Sequence, residues 1–156
     1  MRIQPIPIPD RPGAGGTRPR EDDLVAGLHA AYTAATAGIP GPGLSLARFH
    51  RDVCAHTPSA RAEAWALVDG EDDGGSGSGG GGGKVAGGYA LSLPTSDNPH
   101  MAWIFPLAVR PEHQGHGHGS ALFEHALDRL RAHGRSLLLT DTPSPARAPP
   151  SPARAA

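Results

Sequence analysis

The residues best suited to chemistry form a turn at 114–120, Gln-Gly-His-Gly-His-Gly-Ser, between an apolar segment and an amphipathic pattern. A strand, turn and helix in this order leave the first N–H groups of the helix without backbone acceptors. Glycines let an anion approach the backbone closely, and the helix dipole favours negative charge there. The turn therefore predicts a binding site for a diphosphate.

Three histidines, His113, His116 and His118, lie in or beside this turn. A cluster of imidazoles can bind a transition metal. If the amides point at an anion, however, the side chains between the glycines point to solvent, where histidines are harmless. We therefore expect no metal site.

Spaced glycines also occur in dinucleotide-binding folds, so the glycines alone do not decide between folds. The dinucleotide fingerprint follows the first strand of a βαβ unit and precedes an acidic residue about 20 positions later. Here the turn comes late in the chain, although Asp141 lies at a similar distance from it. The order of elements weakens this alternative but leaves it open.

The sequence Val109-x-Pro111-x-x-Gln114-x-x-Gly117-x-Gly119-x-Ala121-Leu122 resembles the Gln/Arg-x-x-Gly-x-Gly/Ala signature of GNAT acetyltransferases, which also follows a strand ending in Leu-x-Val. The resemblance covers roughly residues 20–141. It implies an α/β (α+β) fold with a mixed, mainly antiparallel sheet flanked by helices. It also implies acetyl-CoA as cosubstrate and acetyl transfer to a primary amine, on a small molecule or a peptide.

The resemblance further implies which residues hold the cosubstrate. The backbone amides of the turn would bind the pyrophosphate, and the end of the preceding strand would pair with the pantetheine. The residues concerned are Leu107, Ala108, Val109, Gln114, Gly115, His116, Gly117, His118, Gly119 and Ser120. Many relatives hold a Glu early in that strand, where this chain has Trp103, so the catalytic residues stay unassigned.

After this point the family pattern continues with a helix and two strands. In this chain, residues 142–156 have no such pattern and contain Ser-Pro-Ala-Arg-Ala twice, which predicts a disordered tail. We therefore expect a partial domain at 20–141, truncated after the strand that follows the coenzyme-binding helix, with weak acetyl-CoA binding and little turnover. Two alternatives are a non-catalytic acetyl-CoA-binding module and an interaction protein. The latter would pair its uncovered sheet edge at 136–140 with another chain, giving for example a homo-oligomer.

Hydrophobic periodicity predicts the remaining elements. Helices are expected at about 24–37, from Ser45 to 57 with Leu46, Phe49 and Val53 on one face, and at 117–133 before Gly134. Strands are expected at 64–68, 85–93, 101–109 and 136–140. The strand at 101–109 is apolar throughout, which predicts burial on both faces. Its Pro106 predicts a bulge or the end of a shorter strand.

Composition limits the other possibilities. The 156 residues carry a net charge of −1, so nucleic acid is an unexpected partner. Cys54 has no partner for a disulfide and is expected to be a buried hydrophobe. The Gly-rich loop at 70–84 is expected to be flexible and to join two strands as a hairpin, and residues 1–19 to form a flexible arm or an edge strand. Without a leader-like or membrane-spanning apolar segment, the chain is expected in the cytoplasm.

Overall fold

The computed structural model describes residues 1–8, 19–39, 43–70, 84–95 and 98–140. Almost all of the Gly-rich loop and the whole tail at 142–156 lie outside the described residues, so the predictions for them stay predictions. The elements are β1 (Arg2–Ile6), α1 (Pro19–Ala35), α2 (Leu46–Val53), β2 (Ala60–Asp69), β3 (Lys84–Pro94), β4 (Met101–Val109), a 3₁₀ turn (Pro111–His113), α3 (His118–Ala132) and β5 (Leu137–Thr140).

These strands form one sheet in the order β1-β2-β3-β4-β5. The first three pairings are antiparallel, and β5 runs parallel to β4. Alternate residues of β2 face opposite sides, with Ala64 and Ala66 packed with α1 and α2, and Leu67 packed with α3. The prediction of a mixed, mainly antiparallel sheet flanked by helices is confirmed.

The N-terminal segment forms an edge strand, one of the two forms expected of it. β1 pairs with β2 alone in the described sheet, so Pro5 removes an N–H group where a free edge tolerates the loss. Cys54 is buried, and its burial raises the pKa of the thiol to about 12, as expected of a structural cysteine. No helix in the described part of the chain has the length and apolar character needed to span a membrane.

The first two helices agree with the sequence in their cores and differ at one end. α1 begins at Pro19, a residue well suited to the first turn of a helix, and ends at Ala35, two residues before the expected end. Ser45 caps α2 as predicted, and its Oγ accepts from the Arg48 N–H at 3.3 Å. Phe49 is buried as predicted, but the prediction for Leu46 was wrong, since it is largely exposed.

β4 contains the predicted bulge at Pro106. Its register against β3 shifts by one residue, because Tyr89 pairs with Leu107 whereas Leu91 pairs with Ile104. The prediction that β4 is buried on both faces was wrong at two positions, Trp103 and Leu107, which are 40% and 37% exposed. An uninterrupted apolar run carries no alternation, so it does not show which face the described helices leave uncovered.

Candidate functional site

The turn between β4 and α3 presents a run of unused backbone donors. The N–H groups of Gly115, His116, Gly117, His118, Gly119 and Ser120 donate to no acceptor among the described residues, and the helical pattern begins only with Ala121 N–H to the Gly117 carbonyl at 3.0 Å. No side chain caps α3, and its first turn contains no acidic residue. The start of α3 is therefore open to an external anion.

Glycine supplies both the shape and the space of this turn. Gly115 and Gly117 each have φ +79°, a left-handed conformation that other residues adopt only with strain. A Cβ added at Gly115, Gly117 or Gly119 would meet nothing within 4 Å in the described structure. An anion could therefore approach these amides without contacting a side chain.

Two side chains fasten the turn to the sheet. Gln114 Nε2 donates to the Val109 carbonyl at 2.8 Å, which joins the turn to the last residue of β4. Arg110 donates from its backbone N–H to the Ala86 carbonyl and from Nε to the Val85 carbonyl, both at 2.8 Å. These contacts fix the direction of the amides relative to the end of β4.

The histidine side chains lie around the turn and form no metal site in the described structure. His116 is exposed, and its Nδ1–H donates to the Gln114 carbonyl at 2.8 Å. Its ring stacks on that of His118, with 6.0 Å between centroids. Within the described ranges, no three His, Cys, Asp or Glu side chains form a group that could hold a metal ion.

The second half of β4 has a neighbour on one side only within the described sheet. Leu107, Ala108 and Val109 pair with Tyr89, Gly88 and Gly87 of β3. On the other side, the pairing with β5 ends at Ile104 opposite Thr140, the last described residue of that strand. The edge of β4 beyond the bulge therefore meets no strand among the described residues.

A largely apolar groove of about 380 Å³ lies at this edge. It is bounded by α1, by β4 from Ile104 to Ala108, by Phe123 on the second turn of α3 and by Thr140. Among the described residues, the polar side chains that line it are those of Tyr32, Thr36 and Thr140. The groove runs along the edge of β4 as far as Ala108. Gln114 joins the turn to the next residue, Val109.

At its other end, α3 is held to β2 by a partly buried ion pair. Arg129 donates from Nε and Nη2 to the two carboxylate oxygens of Glu63 at 3.1 and 3.0 Å, and His133 Nε2 lies 2.7 Å from Oε1. The Arg129 guanidinium also lies 5.3 Å from the centroid of the Trp65 ring. Partial burial raises the pKa of Glu63, but the bonds from Arg129 and His133 outweigh it and hold the pKa below its usual value.

The sequence matches the family model described as the acetyltransferase (GNAT) family over residues 46–148, about two thirds of the chain. The chain belongs to the GNAT acetyltransferase family. No curated protein matches it in sequence. The turn and the β4 wall of the groove lie within the matched residues.

Solved GNAT structures share its fold. A tandem GNAT protein of the clavulanic acid biosynthesis pathway is 19% identical with a TM-score of 0.63, over 90% of this chain and 37% of that one. Tetrahymena GCN5 is 15% identical with a TM-score of 0.61, over 91% and 71%. A Brucella melitensis GNAT acetyltransferase in complex with acetyl-CoA is 20% identical with a TM-score of 0.53, over 90% and 76%. The chain thus spans little more than a third of the tandem protein.

The structure brings together the residues that the sequence nominates. The ten residues Leu107, Ala108, Val109, Gln114, Gly115, His116, Gly117, His118, Gly119 and Ser120 fall on one continuous path, from the free edge of β4 into the uncapped start of α3. Gln114 differs from the others, because its side chain braces the turn. Trp103, which stands where many relatives hold a Glu, does not line the groove.

Sequence reasoning missed two features of the site. Helical spacing puts Tyr32 on the apolar face of the first helix and gives no sign that it lines the groove. A charged residue such as Arg129 on an amphipathic helix is expected to face solvent, whereas the structure shows it partly buried against Glu63. Periodicity gives no signal for either feature. Tyr32 lines the groove because of how α1 packs against β4, and Arg129 pairs with a residue 66 positions away.

The ion pair at the end of α3 gives a pH-dependent prediction. A carboxylate whose folded pKa lies below its unfolded value stabilises the fold above the unfolded pKa, and that contribution is lost as pH falls through the folded pKa. We expect Glu63→Gln to lower the free energy of unfolding by about 1 kcal/mol at pH 7, the upper end for a partly solvated pair. The difference should shrink below the ordinary carboxyl pKa of 4.5, as measured by urea unfolding between pH 3 and 7.

Asp128→Asn is the matched control, because Asp128 lies on α3, as Arg129 does, but forms an exposed pair with Arg131. It should change stability by less than about 0.5 kcal/mol at any pH in this range. A loss in Glu63→Gln that persists undiminished at pH 3 would show that the carboxylate charge is not what holds the helix.

Proposed function

We propose that this chain binds acetyl-CoA and transfers its acetyl group to a primary amine. The observation that carries the proposal is the run of free amides at 115–120, continuous with the free edge of β4. Family membership supports acetyl transfer as the reaction, and the Brucella melitensis relative was solved with acetyl-CoA. Bound acetyl-CoA would supply an acetyl thioester that a neutral amine can attack.

The residues present fit this cosubstrate. The diphosphate would accept hydrogen bonds from the amides of the turn, where the helix dipole and the absence of acidic side chains in the first turn favour its charge. The pantetheine arm carries two amide groups, which suit the unpaired backbone of residues 107–109. Its apolar segments would lie in the groove against Leu107 and Phe123.

A charge placed at Gly119 tests the diphosphate site. We expect Gly119→Asp to weaken CoA binding at least tenfold by calorimetry, because its carboxylate would stand among the free amides and repel the diphosphate. The same change should raise the melting temperature slightly, since an acidic residue in the first turn stabilises a helix.

Gly119→Asn is the matched control, with the same shape and no charge. It should bind CoA clearly more tightly than Gly119→Asp, and the gap should narrow at high salt. Equal CoA affinities in the two variants would show that the diphosphate does not bind at this turn.

The pH dependence of transfer tests the reaction. The lining of the groove contains no carboxylate and no imidazole among the described residues, and we expect the amine to lose its proton to solvent. We expect acetylation of a simple alkyl amine to be slow and to rise about tenfold per pH unit from pH 6 to 9, because the neutral fraction of the amine rises in that way.

The rate without protein gives the background of uncatalysed aminolysis to subtract. A plateau near pH 7 would reveal a base supplied by the protein and would contradict the open-groove mechanism. Saturable CoA binding without transfer above background would favour the non-catalytic binding module instead.

A second candidate function, strand pairing with another chain, rests on the β5 edge. β5 pairs only with β4 in the described sheet, and Leu137 on it is largely exposed. An edge of this kind can add a strand from a second copy. Light scattering without CoA would then show a dimer, and Leu137→Lys would return it to the monomer; a monomer at all concentrations would exclude this candidate.

A further inference from the structure

Tyr32 is a polar residue in the wall of the apolar groove. Tyr32 lines the groove from α1, and its ring contacts Phe105 edge-on with 5.4 Å between centroids. The hydroxyl has no hydrogen-bond partner among the described residues. By contrast, Thr36 on the same wall already donates from Oγ1 to the Tyr32 carbonyl at 2.9 Å.

The position of Tyr32 along β4 indicates which part of acetyl-CoA would reach it. Its neighbour Phe105 lies at the bulge, four residues before Val109, which corresponds to about 13 Å of strand. An extended pantetheine arm that starts at the turn and follows β4 over this distance ends in the thioester. The groove around Phe105 would therefore hold the acyl end of the coenzyme.

Filling the groove changes the energetics of this hydroxyl. A coenzyme arm would displace water from the groove, and a hydroxyl that loses water without gaining a partner destabilises the complex. The thioester carbonyl oxygen is an acceptor that could replace that water, whereas the thiol of free CoA is a much poorer one. Tyr32 would thus favour the acylated coenzyme over the free thiol.

We propose that the Tyr32 hydroxyl donates a hydrogen bond to the acyl carbonyl oxygen of the bound thioester and so selects acyl-CoA over CoA. The inference rests on the proposed function, because it requires the coenzyme to lie along β4. It adds a specificity residue on α1, an element outside the turn and β4.

Calorimetry with three ligands tests this selection without any need for turnover. The ligands are acetyl-CoA, CoA and S-ethyl-CoA, a thioether with the same two carbons and no carbonyl oxygen. We expect Tyr32→Phe to weaken acetyl-CoA binding about fivefold, the scale of one hydrogen bond between neutral groups. Binding of CoA should not weaken, and S-ethyl-CoA should bind somewhat more tightly, because it displaces the water of the wild-type hydroxyl without replacing it.

Two control variants separate the hydroxyl from its surroundings. Tyr89 is the other tyrosine of the chain, and its hydroxyl lies 2.6 Å from His125 Nδ1, away from the groove. Tyr89→Phe should leave the ratio of acetyl-CoA to CoA affinity unchanged. Thr140→Val removes the hydroxyl of another groove-lining residue and should also leave that ratio unchanged.

The outcomes distinguish this inference from the proposed function. If the wild-type chain binds none of the three ligands, the proposed function fails and the role of Tyr32 fails with it. If CoA binds but Tyr32→Phe weakens all three ligands equally or none of them, the selection by Tyr32 is wrong while the diphosphate site stands. A selective loss in Thr140→Val in place of Tyr32→Phe would assign the carbonyl contact to β5.

Discussion

The site depends on backbone N–H groups that the fold leaves without acceptors at the start of α3. Helices normally satisfy such groups with a capping side chain, as Ser45 does for α2 in this same chain. At α3 the capping position is Gly117, and its neighbours are glycines and histidines whose side chains leave the amides free. These free amides are the reason that we propose an external anion as the ligand of the turn.

The sheet holds these amides in a fixed direction. The bulge at Pro106 lies just beyond Ile104, where the described pairing of β4 with β5 ends. The groove lies beside this part of β4, and the Gln114 bond to Val109 joins its β4 wall to the turn. At the far end of α3, Glu63 and Arg129 fix the helix to β2. The helix therefore lies between two anchors, with its free amides at the end near the groove.

Local features of this chain could be predicted because each has a local cause. The Ser45 cap, the bulge at Pro106 and the end of α3 before Gly134, which has φ +66°, follow from what those residue types do to a backbone. Features that depend on packing between distant segments could not be predicted from the sequence. The exposure of Trp103 within an apolar run is of this kind.

The same division applies to the candidate site. The turn at 114–120 and the strand end at 107–109 were predictable, because glycine spacing and the strand–turn–helix order are visible in sequence. Tyr32 was not, because helical spacing places it on the apolar face of α1 and says nothing about the groove beyond. The Glu63–Arg129 pair joins residues 66 positions apart, which no periodicity reveals.

Amide NMR, during a titration with CoA and separately with inorganic pyrophosphate, shows whether the amides of residues 115–120 receive the diphosphate. We expect the N–H resonances of Gly115 to Ser120 to move downfield together and to saturate with both ligands, while that of Arg48, already bonded to the Ser45 cap, does not move. Saturation by CoA with the resonances of this turn unmoved would contradict this expectation.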